Sequence, residues 1–182
     1  MKRITTVLIV TILCLACSSM AFDGNRKGFV LGGGLGFTPS AEWGFELGSV
    51  DFSEDGLGFG LHLVIGGAFD EHNMLVYEGN VVGWKSDVVD TDLTQGFNGA
   101  AFYHYFGPVG KSAFAVGGIG FYVFNADGYE NNDPGFGMLL GGGYEFARHW
   151  QAGVYFSFGK TSDPFVDYNH HHISILVSGI AF

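Results

Sequence analysis

The sequence predicts an all-β protein: an eight-stranded antiparallel up-and-down β-barrel that crosses a membrane. Three observations point there. Glycine (31 residues) and phenylalanine (19) are abundant, yet only 14% of residues are charged, where an ordinary soluble domain has about 25%. After residue 21 the apolar pattern has a period of two, the period of a strand whose alternate side chains face opposite ways. Short connections also alternate with long polar ones, as in a barrel with tight turns at one end and loops at the other. The 182 residues suit one domain. Aromatic residues at 16% exclude intrinsic disorder. Scattered glycine also disfavours helix, because each helical Gly costs roughly 0.5–1 kcal/mol relative to Ala.

The chain opens with an address. Lys2 and Arg3 precede an uncharged stretch from Ile4 to Cys17, and Ser19-Met20-Ala21 follows. Small residues at −3 and −1 place a signal-peptide cut between Ala21 and Phe22. The expected division is therefore a signal peptide over 1–21 and a barrel domain over 22–182. A lipoprotein signal centred on Cys17 is the alternative, but Cys14 stands where such signals usually carry Leu. Cleavage removes both cysteines, which excludes a disulfide scaffold and thiol catalysis. It also removes Lys2 and Arg3, taking the formal charge from −10 to −12. That disfavours nucleic acid as a partner, since binding needs a basic footprint.

Strands are expected near 28–37, 57–69, 74–84, 93–106, 112–124, 135–146, 149–159 and 172–182. Phe29, Leu31, Leu35 and Phe37 alternate with Val30, Gly32, Gly34 and Gly36 in the first. Leu57, Phe59, Leu61, Leu63 and Ile65 alternate with Gly58, Gly60, His62, Val64 and Gly66 in the second. The third sets Leu75, Tyr77 and Val81 against Val76, Glu78, Asn80 and Val82. The fourth sets Phe97, Ala101, Tyr103 and Tyr105 against Asn98, Ala100, Phe102 and His104. The sixth opposes Phe136, Met138, Leu140 and Tyr144 to Gly137, Leu139, Gly141 and Glu145. The seventh opposes Trp150, Ala152, Val154, Phe156 and Phe158 to Gln151, Gly153, Tyr155, Ser157 and Gly159. The fifth, Ser112 to Phe124, is apolar or glycine in both phases, and the eighth, Ile173 to Phe182, is nearly so. Residues 38–56, 85–92, 125–134 and 160–171 read as long loops.

Charge decides which face is outside. A soluble, lipocalin-like cup needs an exterior about 25–35% charged, and the second-named set offers only Glu78 and Glu145 as full charges. With the first-named set facing lipid, the glycines and ionisable groups line a narrow interior. Tyr155 and Phe102 are expected inside. Tyr103, Tyr105, Tyr144, Phe146 and Trp150 are expected in an aromatic girdle at the short-turn end.

These residues resemble the small eight-stranded outer-membrane barrels of Gram-negative bacteria, the group containing the OmpA transmembrane domain and OmpX. A terminal signature adds to the architecture: Phe182 with Ile180 and Leu176 at alternate positions, whereas Ser178 and Ser174 depart from it. The resemblance implies periplasmic termini and short turns, and extracellular long loops. It also implies contact with outer-membrane lipid and recognition of the C-terminal strand by the barrel-assembly machinery. A monomer is expected.

His62, Glu78, His104 and Glu145 are the ionisable residues assigned to the lumen. A buried charge needs a partner, so a hydrogen-bonded lumen network that plugs the barrel is expected, with His62 and Glu78 at similar height. A proton or ion path is the alternative for the same residues. Neither a catalytic residue, a cofactor site nor a metal site is assigned. Successive residues of His170-His171-His172 point opposite ways, which suits a polar loop end better than a metal site. His172 and Ser174 resemble part of the His, Ser and Glu set of outer-membrane lipid A deacylases, but nothing acidic follows to complete it. Thirteen of the eighteen acidic residues fall in the long loops. The function expected is non-enzymatic, structural or through surface interaction, with a lipid-modifying enzyme or a soluble carrier as alternatives.

Overall fold

The computed structural model describes residues 25–47, 50–128, 133–163 and 166–182. The signal segment, with Ala21 and Phe22, lies outside the described residues. The described chain forms eight strands: β1 (Gly28–Leu47), β2 (Val50–Ala68), β3 (Asn73–Lys85), β4 (Asp92–Tyr105), β5 (Ser112–Ala126), β6 (Asp133–Ala147), β7 (Trp150–Ser162) and β8 (Asp167–Ala181). Each pairs antiparallel with the next, and β8 pairs with β1, so the sheet closes. Closure leaves no edge and satisfies the backbone between strands, as hydrocarbon requires.

The strands run 13 to 20 residues, more than the 9–11 or so that cross a bilayer. The excess lies at the loop end, away from the termini. The stretch expected as the first long loop is largely strand. After a register shift between Thr38 and Ala41, the β1–β2 ladder continues through Glu42↔Asp55 and Trp43↔Glu54 to Leu47↔Val50. The period of two persists there, but acidic residues replace the lipid-facing apolar ones. A strand leaving hydrocarbon for water therefore reads as a polar loop. β8 begins at Asp167 rather than 172 for the same reason.

Five of the eight strands turn as expected. Leu35, Phe59, Leu61, Leu75, Leu140 and Val154 lie exposed on the outside. Phe59 is 53% exposed, Leu140 50% and Phe156 39%, so the central cavity that a lipocalin-like carrier would line with them is not there. β4 is the correction. Phe97, Ala101, Tyr103 and Tyr105 are buried inside, while Phe102 is 45% exposed on the outer face. The tyrosines carry hydroxyls that a buried phenol must partner, and the lumen supplies those partners. Tyr103 and Tyr105 thus leave the expected girdle, whereas Tyr144, Phe146 and Trp150 keep their outward places. In the two ambiguous strands, Phe114, Val116, Tyr122 and Phe124 of β5 point inward, as do His170, His172, Ser174, Leu176, Ser178 and Ile180 of β8.

The three tight connections have local causes. Asp70 Oδ1 accepts from the backbone N–H of His72 (2.7 Å) and of Asn73 (2.9 Å), closing the β2–β3 turn. Gly110 adopts φ +85° in the β4–β5 turn, which suits a residue without Cβ. In the β6–β7 turn His149 takes φ +69°, and its Nδ1 lies 3.0 Å from the Ile180 carbonyl.

Candidate functional site

The lumen is crossed by successive layers of paired polar groups. At the terminus end, the segment before β1 folds Arg26 under the barrel. Its Nη2 donates to Glu145 Oε2 at 2.5 Å, and Nη1 donates to the Glu71 carbonyl. The guanidinium lies 3.5 Å above the Tyr105 ring. Glu145 also accepts from the Gly110 backbone N–H (2.8 Å). Both charges are buried, and pairing is what makes that tolerable.

Above it, Tyr105 donates to Gln151 Oε1 (2.7 Å), and Gln151 Nε2 donates to the Tyr155 hydroxyl (3.2 Å). The next layer centres on Glu78. Tyr103 donates to its Oε2 (2.7 Å), and His62 Nε2 lies 3.1 Å from its Oε1. His62 Nδ1 meets Ser178 Oγ at 2.8 Å. Side chains from β2, β3, β4 and β8 are tied together in this layer. Higher still, His172 bridges the Tyr122 hydroxyl (2.7 Å) and Asn80 Oδ1 (3.0 Å). If Asn80 offers its carbonyl, His172 carries its proton on Nε2 and accepts from Tyr122 at Nδ1. Thr38 and Ser174 pair through their hydroxyls at 2.8 Å.

Three of the four expected lumen residues are therefore inside. His62 and Glu78 meet as expected, and Glu145 sits inside with Arg26 as its partner. His104 is the exception. It shares the outer phase of β4 with Phe102, its Nδ1 is 2.9 Å from Asn73 Oδ1, and its ring meets Phe106 edge-on. Sequence patterning puts Tyr155 and Gln151 on the inward phase, but it does not reveal the lumen places of Tyr103, Tyr105, Ser178 and Arg26. Gln151 is the usable signal among them, because an amide within an inward phase announces a need for partners.

The C-terminal signature residues Phe182, Ile180 and Leu176 are all buried on the inward side. His170 stacks on Tyr122 and Phe124, with Nε2 2.7 Å from Thr161 Oγ1. His171 faces outward and pairs with Glu42 at 3.3 Å. The triplet is split between faces, and the described residues contain no cluster able to hold a metal ion. His172 and Ser174 are both fully buried. Their partners are Tyr122, Asn80 and Thr38, and among the described residues no carboxylate orients the imidazole. The deacylase-like set of His, Ser and carboxylate is therefore not assembled among the described residues.

At the loop end the β1–β2 extension packs over the mouth. Trp43 stacks on Phe124 with centroids 5.6 Å apart, and Phe45 and Tyr168 join it. Glu54 fastens this hairpin to the β3–β4 connection. Its carboxylate accepts from Trp43 Nε1 (3.0 Å), Ser86 Oγ (2.7 and 2.8 Å) and the backbone N–H groups of Asp87 (2.9 Å) and Val88 (3.2 Å). Partial burial pushes its pKa up, but these donors outweigh burial and hold the carboxyl below its ordinary value.

No protein-family model matches the sequence, and no curated protein matches it at significant similarity. Solved structures do match the fold. Neisserial surface protein A is 13% identical over 85% of this chain and 96% of its own, with a TM-score of 0.57. Ail, the attachment invasion locus protein of Yersinia pestis, is 14% identical over 86% of this chain and 99% of its own, with a TM-score of 0.52. The chain has the fold of the small eight-stranded outer-membrane barrels.

Proposed function

We propose that this protein is a non-enzymatic outer-membrane barrel with a side-chain-plugged lumen, serving the envelope through its structure or through its external end. The observation that carries this reading is the contrast between faces. Apolar side chains cover the outside, while Arg26–Glu145, His62–Glu78–Tyr103 and Tyr122–His172–Asn80 cross the inside in buried layers. An eight-stranded interior is about wide enough for side chains to fill, and these buried layers support a plugged lumen.

In this reading the termini and tight turns face the periplasm, and the acidic hairpin faces outward. The protein works as a monomer whose solvent is outer-membrane lipid. The assembly machinery reads Phe182, Ile180 and Leu176 before closure turns them inward. Planar-bilayer recordings of the refolded protein test the plug. The expected record has no stable large conductance; sustained large openings would contradict it.

A further inference from the structure

A groove of about 590 Å³ is cut into the outer wall where β6, β7 and β8 meet, lined by Phe136, Phe156, Phe158, Lys160, Asn169 and Ile173 among others. Its origin is local. The β6–β7 ladder shifts register between Pro134 and Gly137, which interrupts the wall beside Gly159 and Lys160. Below the break the groove is aromatic, with the Phe156 and Phe158 rings 5.3 Å apart. Above it, Lys160 and Asn169 are direct cross-strand partners, and both are exposed.

The height of this junction matters. Lys160 stands ten residues beyond Trp150, which at about 3.4 Å per residue and a tilt near 40° lies about 26 Å higher. An apolar band in such barrels is about 25 Å tall, so Lys160 sits where acyl chains give way to headgroups. The charges around it are one-sided. His171 at the groove's flank is matched by Glu42, and Lys85, the other loop-end lysine, is engaged by Asp90 at 2.8 Å. Lys160 is the cation over the groove, on an end otherwise rich in carboxylates.

We infer that this groove is a binding site for one phosphate-bearing acyl lipid of the outer leaflet. Its chain lies along Phe136, Phe156, Phe158 and Ile173, and its phosphate meets the Lys160 ammonium and the Asn169 amide. A charge-assisted contact of this kind favours anionic over zwitterionic headgroups, and the apolar groove below it favours an anion that carries an acyl chain. The site rests on the membrane-embedded reading above.

Native mass spectrometry tests it on the refolded protein, released from micelles holding equimolar phosphatidylglycerol and phosphatidylcholine with identical acyl chains. Retention of one phosphatidylglycerol over phosphatidylcholine is expected by about fivefold, the worth of one lysine near an anionic lipid surface. Lys160→Gln should bring the ratio near unity, and Ile173→Trp, which fills the groove, should lower it with no change of charge. Lys85→Gln should leave it unchanged. Heat-modifiable gel migration verifies that each variant is folded. Equal retention of both lipids, or a preference that survives Lys160→Gln, overturns the site while leaving the membrane barrel intact. A protein that stays in solution without detergent and retains neither lipid overturns both.

Discussion

Two walls of the lumen are built on opposite plans. β1 and β2 turn Gly32, Gly34, Gly36, Gly58 and Gly60 toward the axis, whereas β4 and β5 turn Phe97, Tyr103, Tyr105, Phe114, Tyr122 and Phe124 toward it. Neither wall would close the barrel alone. The β1 and β2 glycines let β8 and β3 close in, so that a Cβ on Gly34, Gly58 or Gly60 would meet Ser178, Val82 or Leu176, whereas the β4 and β5 rings cover glycines of β4 to β7, with Phe97 against Gly99 and Gly118, Phe114 against Gly143 and Gly153, and Tyr122 against Gly159. The ring hydroxyls find Glu78 on the adjacent strand, and Gln151 and His172 on β7 and β8. The comparison teaches that ring content does not mark the lipid face. β2 sends its large apolar residues out and β4 sends its tyrosines in, because the buried phenol hydroxyls find Glu78 and Gln151 there, partners that hydrocarbon does not offer.

The largest test of this division is removal of the carboxylate at its centre. Glu78→Ala leaves His62 and Tyr103 without their shared partner and is expected to cost about 3–5 kcal/mol, read from urea refolding into lipid vesicles. A loss no greater than that of one ordinary hydrogen bond, about 1 kcal/mol, would mean that the layers are not coupled. Next, Leu61→Lys or Val154→Lys on the outer face should cost about 2–4 kcal/mol in bilayers. Phe102→Lys should join that range if the inverted phase of β4 is right.

Smaller still is the effect of filling the glycine wall. A Cβ on Gly36 would fall against the Ile175 carbonyl oxygen, and a Cβ on Gly34 against Ser178 and the Val177 carbonyl. Gly36→Ala should therefore destabilise by about 1–3 kcal/mol, as overpacking does. The same refolding assay reads it, and neutrality would argue that β1 and β8 do not approach as closely at Gly36 as their pairing places them.

The smallest effect belongs to the external clamp. Glu54 is held below its ordinary carboxyl pKa in the folded protein, so its contribution is fully present above the unfolded value. It is lost as pH falls through the folded one. Hydrogen exchange at the Asp87 and Val88 amides should accelerate in Glu54→Ala relative to the unmodified protein at neutral pH, with global stability little changed.

Much of this architecture is legible in the residue pattern itself. Eight apolar segments correspond to eight strands, and β1, β2, β3, β6 and β7 declare their faces, because charged and glycine positions break the symmetry between phases. His62 and Glu78 can be placed together from the short Asp70–Asn73 turn alone. β4 is not legible: both of its phases hold aromatic residues, and which one turns inward depends on partners contributed by β3 and β7. The long hairpin is hidden for a different reason. Strand period survives beyond the membrane, but the hydrophobic contrast that reveals it changes to acidic residues such as Glu42 and Asp55.

The central claim concerns direction, and adjacent residues test it most directly. The chain after Cys17 has no cysteine, so single cysteines can be introduced cleanly into the protein refolded in bilayers. Phe102→Cys, Leu140→Cys and Phe156→Cys should react with a membrane-dissolved maleimide, while Tyr103→Cys, Leu139→Cys and Tyr155→Cys stay protected until denaturation. Rapid labelling of the second group with protection of the first would contradict the account.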